Sequence, residues 1–79
     1  MVETLLDVQG LSCPLPVLKA NKVMRGLAPG AALVVLATDP AAARDFPAYC
    51  AETGHRLVSA EEAAGGVWRF TLRKREDAA

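Results

Sequence analysis

Residues 31–38 read Ala-Ala-Leu-Val-Val-Leu-Ala-Thr, with no polar side chain before Thr38. Pro29-Gly30 bounds this run on one side and Asp39-Pro40 on the other, and both pairs are turn signals. The run is far too short to span a bilayer. Continuous apolar character over this length is the pattern of a strand covered on both edges and on at least one face. In a chain of 79 residues there is room for one domain. A domain this small buries only about 60–65% of the surface that its unfolded chain exposes. Its core is thin, and a small exposed site that works by docking fits it better than an enclosed catalytic pocket.

The flanking segments supply the rest of a sheet and its cover. Thr4 to Gln9 reads as a strand ended by Gly10, and Ser12 to Leu27 as a helix. Pro14 and Pro16 fall in the helix's first turn, where a missing N–H is tolerated. Val17, Ala20, Met24 and Leu27 form its apolar stripe, and Lys19, Lys22 and Arg25 lie away from it. Asp39 and Pro40 read as the N-cap and first residue of a second helix. Pro47 predicts either a kink or a fresh helix starting near Phe46 and running to about Thr53, with Gly54 just past its end.

His55 to Ala60 reads as a third strand, Ala64-Gly65-Gly66 as a hairpin turn, and Val67 to Lys74 as a fourth strand. In that last strand Trp68, Phe70 and Leu72 alternate with Arg69, Thr71 and Arg73. The expected fold class is α/β: a two-layer sandwich in the order β-α-β-α-β-β. A four-stranded mixed sheet carries two helices on one face, and its other face is open to solvent. The expected core covers residues 4–74, with a frayed polar tail over 75–79.

Lysine plus arginine and aspartate plus glutamate both number 9. A neutral chain lacks the basic field that phosphate binding needs, so no direct nucleic-acid partner is expected. Met1 is followed by Glu3 and Asp7, without the basic and apolar regions of a signal peptide, and no segment is long enough to enter a membrane. The chain therefore reads as cytoplasmic, with Cys13 and Cys50 as free thiols.

The chemistry is concentrated in Gly10-Leu11-Ser12-Cys13-Pro14-Leu15-Pro16. Cys13 sits at the start of the first helix, where the helix dipole favours a thiolate. Pro14 and Pro16 remove two N–H donors, so only a modest lowering of the Cys13 pKa is expected. The prolines hold the cysteine at an exposed loop–helix junction. The bland alternative is a buried structural thiol, the usual fate of free cysteine; Cys50, at the expected core spacing of the second helix, fits that alternative better. Asp7 precedes the loop and can brace it by accepting backbone N–H bonds. Arg44 and Asp45 read as an exposed pair worth little, or as a device orienting the second helix. Cys13, Cys50 and His55 fall short of the four ligands of a structural zinc site, so no metal and no cofactor is expected. His55 reads as a strand-end or cap residue.

Asp7 to Pro16 resembles the D-x-x-G-L-x-C-P-x-P signature of the TusA/SirA sulfur-carrier family. Asp39-Pro40-Ala41, Arg44-Asp45-Phe46-Pro47 with Tyr49-Cys50, and Gly54-His55-Arg56-Leu57 resemble its later segments in the same order. The resemblance spans roughly residues 5 to 74. It implies that Cys13 carries sulfane sulfur as a persulfide, with Asp7, Gly10, Leu11, Pro14 and Pro16 shaping its loop. It implies a cysteine desulfurase or rhodanese-type sulfur donor and a downstream sulfur-carrier protein as acceptor, in tRNA 2-thiouridine, molybdenum-cofactor or sulfur-oxidation chemistry. Ser12 and Leu15 fall at variable positions of the signature. Lys19, Lys22 and Arg25 read as a solvated helix face or as a docking strip for an acidic partner. A carrier of this size is expected to be monomeric. The rival readings are a non-catalytic docking or regulatory module and a thiol redox protein using Cys13 and Cys50.

Overall fold

The structure is a computed structural model that describes residues 3–76. Four strands and two helices follow in the expected order: β1 Thr4–Asp7, α1 Leu15–Arg25, β2 Ala32–Ala37, α2 Ala42–Thr53, β3 Arg56–Glu62 and β4 Trp68–Arg73. The sheet order is β1-β2-β4-β3. β1 pairs parallel to β2, and β4 runs antiparallel to both β2 and β3. The apolar run thus occupies an interior strand paired on both edges, as its composition requires. The fold is the α/β arrangement of two helices on a four-stranded mixed sheet.

Side-chain alternation divides the two faces of the sheet. Leu33, Val35 and Ala37 of β2 lie beside Leu72, Phe70 and Trp68 of β4 in the paired register. The core forms where this face meets Ala20 and Met24 of α1 and Phe46, Tyr49 and Cys50 of α2. Phe46 stacks on Phe70 with ring centroids 4.7 Å apart, and Trp68 stacks on Phe70 at 5.9 Å. Phe70 and Leu72 are fully buried, whereas Trp68 is only half-buried at the end of the row. On the opposite face Leu5 and Arg69 are exposed. Ala32 and Val34 are buried there all the same, because the neighbouring strands place Leu5, Thr71 and Arg73 beside them.

The two helices differ from expectation at their starts. α1 begins at Leu15 rather than Ser12, because its approach is a turn closed by the Leu15 N–H on the Ser12 carbonyl (2.9 Å). Asp39 is not the N-cap of α2. The cap position is Ala41, and Pro40 precedes the helix instead of opening it. No fresh helix starts near Phe46; α2 runs through Pro47 as one helix. Phe46 on one side of the proline and Tyr49 and Cys50 on the other are all buried, and this packing holds the helix together across the lost hydrogen bond. Gly54 ends α2 as expected, in the left-handed conformation (φ 83°), with its N–H on the Cys50 carbonyl. β3 starts one residue later than expected and runs two residues further. Ala64–Gly66 forms a single 3₁₀ turn in which Gly65 and Gly66 have positive φ.

The polar tail expected from Arg75 onward is anchored at its first residue. The Arg75 N–H donates to His55 Nδ1 (3.1 Å) and its Nη1 to the Thr53 carbonyl (3.0 Å). Residues 77–79 lie outside the described residues. Phe46→Ala removes the largest buried side chain between helix and sheet. It is expected to lower the unfolding free energy by about 3–5 kcal/mol, read as a lower denaturant midpoint at unchanged slope.

Candidate functional site

Parallel neighbours end at the same edge of a sheet, so the loops after β1 and β2 lie side by side. The first loop, residues 8–14, is built from several local contacts. The Asp7 carboxylate accepts the Gln9 N–H (3.0 Å), as its place before the loop suggested. Gly10 turns the chain with φ 84°, a conformation that favours glycine. The Leu11 N–H returns to the Val8 carbonyl (3.2 Å), and Leu11 packs against the core. Pro16 is buried, and Pro14 is exposed beside Cys13. The Cys13–Pro14 peptide is cis.

The second loop holds the first in place. The Thr38 hydroxyl accepts the Gly10 N–H (2.9 Å). The Asp39 carboxylate spans both loops: one oxygen accepts the Cys13 N–H and the other the Ala41 N–H (3.0 Å). These two N–H bonds hold the Asp39 carboxyl below the usual carboxylate range. Asp39, given above to the cap of the second helix, is the clamp on the cysteine.

Cys13 is exposed and Cys50 is buried. Cys13 opens onto a shallow groove of about 200 Å³ between α1 and α2, lined by Pro14, Val17, Asp45, Ala48, Tyr49 and Glu52. Tyr49 is fixed there by its hydroxyl, which donates to Asn21 Oδ1 across the helix pair (3.0 Å). Leu15 and Leu18 lie outside the groove on α1 with about half their surface exposed.

The electrostatics of Cys13 run opposite to the expected lowering. Its thiol is pushed above the ordinary range, first by the neighbouring Asp45 carboxylate, then by partial desolvation and by the charge of Asp39, with Arg44 opposing. The helix start supplies little in return: Pro14 and Pro16 have no N–H, and that of Leu15 is used on Ser12. The Arg44–Asp45 pair has its closest approach at 3.4 Å, with the Arg44 side chain exposed and that of Asp45 mostly covered. Asp45 lines the same groove as Cys13.

Burial pushes the Cys50 thiol up to about 11. The expected docking residues Lys19, Lys22 and Arg25 are exposed on α1. Lys22 and Arg25 fall in its last turn, at the end away from Cys13. His55 accepts the Arg75 N–H just before β3, consistent with a strand-end role. Among the described residues no cluster of metal ligands occurs, and no helix is long and apolar enough to cross a membrane.

Residues 4–74 match the family described as Sulfurtransferase TusA. The chain belongs to this family. It is 45% identical to the sulfur carrier protein TusA of Pseudomonas paraeruginosa over 76 residues, covering 96% of this chain and 95% of the relative. It is 42% identical to the sulfur carrier protein TusA of Allochromatium vinosum over 69 residues, covering 87% and 90%. The crystal structure of a SirA-like protein from Desulfitobacterium hafniense superposes with a TM-score of 0.82 over 95% of this chain and 100% of that one, at 24% identity, and so shares the fold.

Two outcomes test this geometry. Iodoacetamide should modify Cys13 but not Cys50 in the native protein and both after denaturation, as read by intact mass. The Asp39 clamp stabilises the fold above the usual carboxylate range and loses that effect as pH falls through its lowered pKa. Asp39→Asn should therefore be less stable than the native chain near neutral pH, and the difference should shrink in strong acid, as followed by thermal unfolding.

Proposed function

We propose that the protein carries sulfur as a persulfide on Cys13, taking it from a donor protein and passing it to an acceptor thiol. The observation that carries this reading is the contrast between the two thiols of a TusA-family chain. Cys13 is exposed at a braced loop beside a groove, and Cys50 is shut into the core.

The chemistry is thiol exchange extended by one sulfur. The Cys13 thiolate attacks the outer sulfur of a donor persulfide. A bond forms between Cys13 Sγ and that sulfur, the donor's sulfur–sulfur bond breaks, and the donor cysteine leaves as a thiolate that takes up a proton. In the second step an acceptor thiolate attacks the outer sulfur on Cys13, and Cys13 leaves as the thiolate. Neither step consumes an oxidant or a reductant beyond the persulfide itself.

The absence of a neighbouring thiol suits a carrier. A resolving cysteine beside Cys13 would attack the persulfide and release sulfide before an acceptor arrived. Cys50 is poorly placed for that role, since it is buried and its thiolate is strongly disfavoured. The same facts weigh against a Cys13/Cys50 redox couple. The exposed Leu15 and Leu18 beside the loop favour recognition by protein partners over a free small substrate. On this reading the donor is a cysteine desulfurase or a rhodanese-type protein. The acceptor is a downstream sulfur-carrier protein serving tRNA thiolation, molybdenum-cofactor or sulfur-oxidation chemistry.

Incubation with a cysteine desulfurase and cysteine should raise the intact mass by about one sulfur atom, and a thiol reductant should reverse the gain. Cys13→Ser should abolish the gain. A docking-module role would be indicated if desulfurase, rhodanese-type and polysulfide donors all fail to load the wild type.

A further inference from the structure

The loop that carries Cys13 is tied down at both ends and has an unpacked turn in between. Val8 is fully buried, and its N–H donates to the Leu36 carbonyl (2.9 Å). Cys13 is held by its N–H on the Asp39 carboxylate. Between them Gly10 turns the chain at φ 84°, and a Cβ placed on it would meet nothing within 4 Å. Packing therefore does not fix this residue, and a glycine is free to leave the left-handed conformation. A rotation there swings the chain that leads to Cys13.

One side chain acts on that turn. The Thr38 hydroxyl, one residue past the end of β2, accepts the Gly10 N–H at 2.9 Å across 28 residues of chain. Thr38 is half-buried, whereas Gly10 is exposed. The bond thus ties an exposed glycine to the end of a strand whose Leu33 and Val35 are fully enclosed. Asp39 differs, because its carboxylate also accepts the Ala41 N–H and so serves the approach to α2 as well as the loop.

We propose that Thr38 is a positioning residue for sulfur transfer: its hydroxyl, by locking Gly10, aims the Cys13 thiol at the persulfide of a docked protein donor. The proposal deepens the carrier reading and rests on Cys13 being the sulfur-bearing thiol. The step served is attack of the Cys13 thiolate on the donor's outer sulfur, with the donor cysteine leaving as a thiolate. Such a step needs the reacting atoms about 3–3.5 Å apart and aligned. A persulfide fixed on a protein cannot tumble to meet the thiol, so both sulfurs must arrive already aimed. A small electrophile approaches an exposed thiol from many directions and makes no such demand. Loss of the Thr38 bond frees the turn, and its ordering then has to be supplied during docking. The exposure and charge surroundings of Cys13 stay as they are, because Thr38 bears no charge.

The test compares the native chain, Thr38→Val and Thr38→Ser. Valine keeps the branched shape and lacks the acceptor, and serine keeps the hydroxyl. The first assay is the rate of loading by a cysteine desulfurase with cysteine, followed by intact mass. The second is Cys13 alkylation by iodoacetamide, which needs no sulfur chemistry. Thr38→Val should be loaded several-fold more slowly than the native chain and alkylated at the native rate. Thr38→Ser should return loading toward the native rate. Hydrogen exchange at the Gly10 amide is the third reading: it should be slowed in the native chain relative to an unstructured glycine, and less so in Thr38→Val. Equal loading of the native chain and Thr38→Val overturns the proposal. Loading of Thr38→Ser as slow as that of Thr38→Val overturns it as well, since the hydroxyl would then carry no effect. An equal fall in loading and alkylation does the same, because the hydroxyl would then act on the thiol itself. Should Thr38→Val not fold, a native Gly10 amide that exchanges at the unstructured rate overturns the lock. If no form, the native chain included, is loaded while the Gly10 amide loses protection in Thr38→Val, the lock on the loop stands and the carrier reading fails.

Discussion

Two parallel neighbouring strands leave a sheet at the same edge, and β1 and β2 are such a pair. Everything in the site follows from that register. Leu6 lies beside Val35 and Asp7 beside Leu36, so the chain that leaves β1 through Gly10 and Cys13 runs alongside the chain that leaves β2 through Thr38 and Asp39. Two hydrogen bonds, from the Gly10 N–H to the Thr38 hydroxyl and from the Cys13 N–H to the Asp39 carboxylate, then fix the first loop against the second. The pairing in turn rests on the burial of β2. Leu33 and Val35 are fully enclosed, and their removal from water drives the sheet together.

The charge at the site reverses the usual way of activating a cysteine. Reactive thiols commonly sit among cations or free helix N–H groups. Cys13 instead lies near two carboxylates, and prolines have removed two of the N–H donors at its helix start. The consequence follows from how exchange rates depend on acidity. A thiol of raised pKa is a stronger nucleophile once ionised and a poorer leaving group. Such a cysteine favours receiving sulfur over surrendering it and reacts sparingly with whatever else it meets. For a protein that must hold a labile sulfur between two encounters, this bias is useful, provided that each partner can alter the field when it docks.

Element types were legible because each has a local cause. The apolar run announced β2, the alternation of Trp68, Phe70 and Leu72 announced β4, and Gly54 marked the end of α2. The cysteine was legible because turn residues and prolines surround it. Asp39 was misread, and the place of Asp45 on the groove was missed, for one common reason. Each has a local explanation, as a helix cap and as the ion pair with Arg44 that the structure does show, and local reasoning stops there. Their approach to Cys13 spans 26 residues for Asp39 and is set by sheet register, which no window of neighbouring residues contains. The expected new helix at Pro47 is absent for a related reason: the local cost of a proline in a helix was outweighed by the burial of Phe46, Tyr49 and Cys50 around it. The spacing of Asp39 and Asp45 was the available signal, since both bracket the start of the helix that follows an interior strand parallel to the cysteine's own.

A chain this small also explains why the site is half a site. Two helices on one sheet face leave only a shallow groove between them, and the core beneath it is already filled by Tyr49 and Cys50. Enclosing Cys13 fully would take elements beyond those found among the described residues. Water therefore reaches the thiol in the free protein, and the low-dielectric surroundings that strengthen charge effects arise only when a second surface covers the groove. Covering the groove desolvates Asp45 and Cys13 together. The shallowness of the groove thus suits a site that a second surface completes.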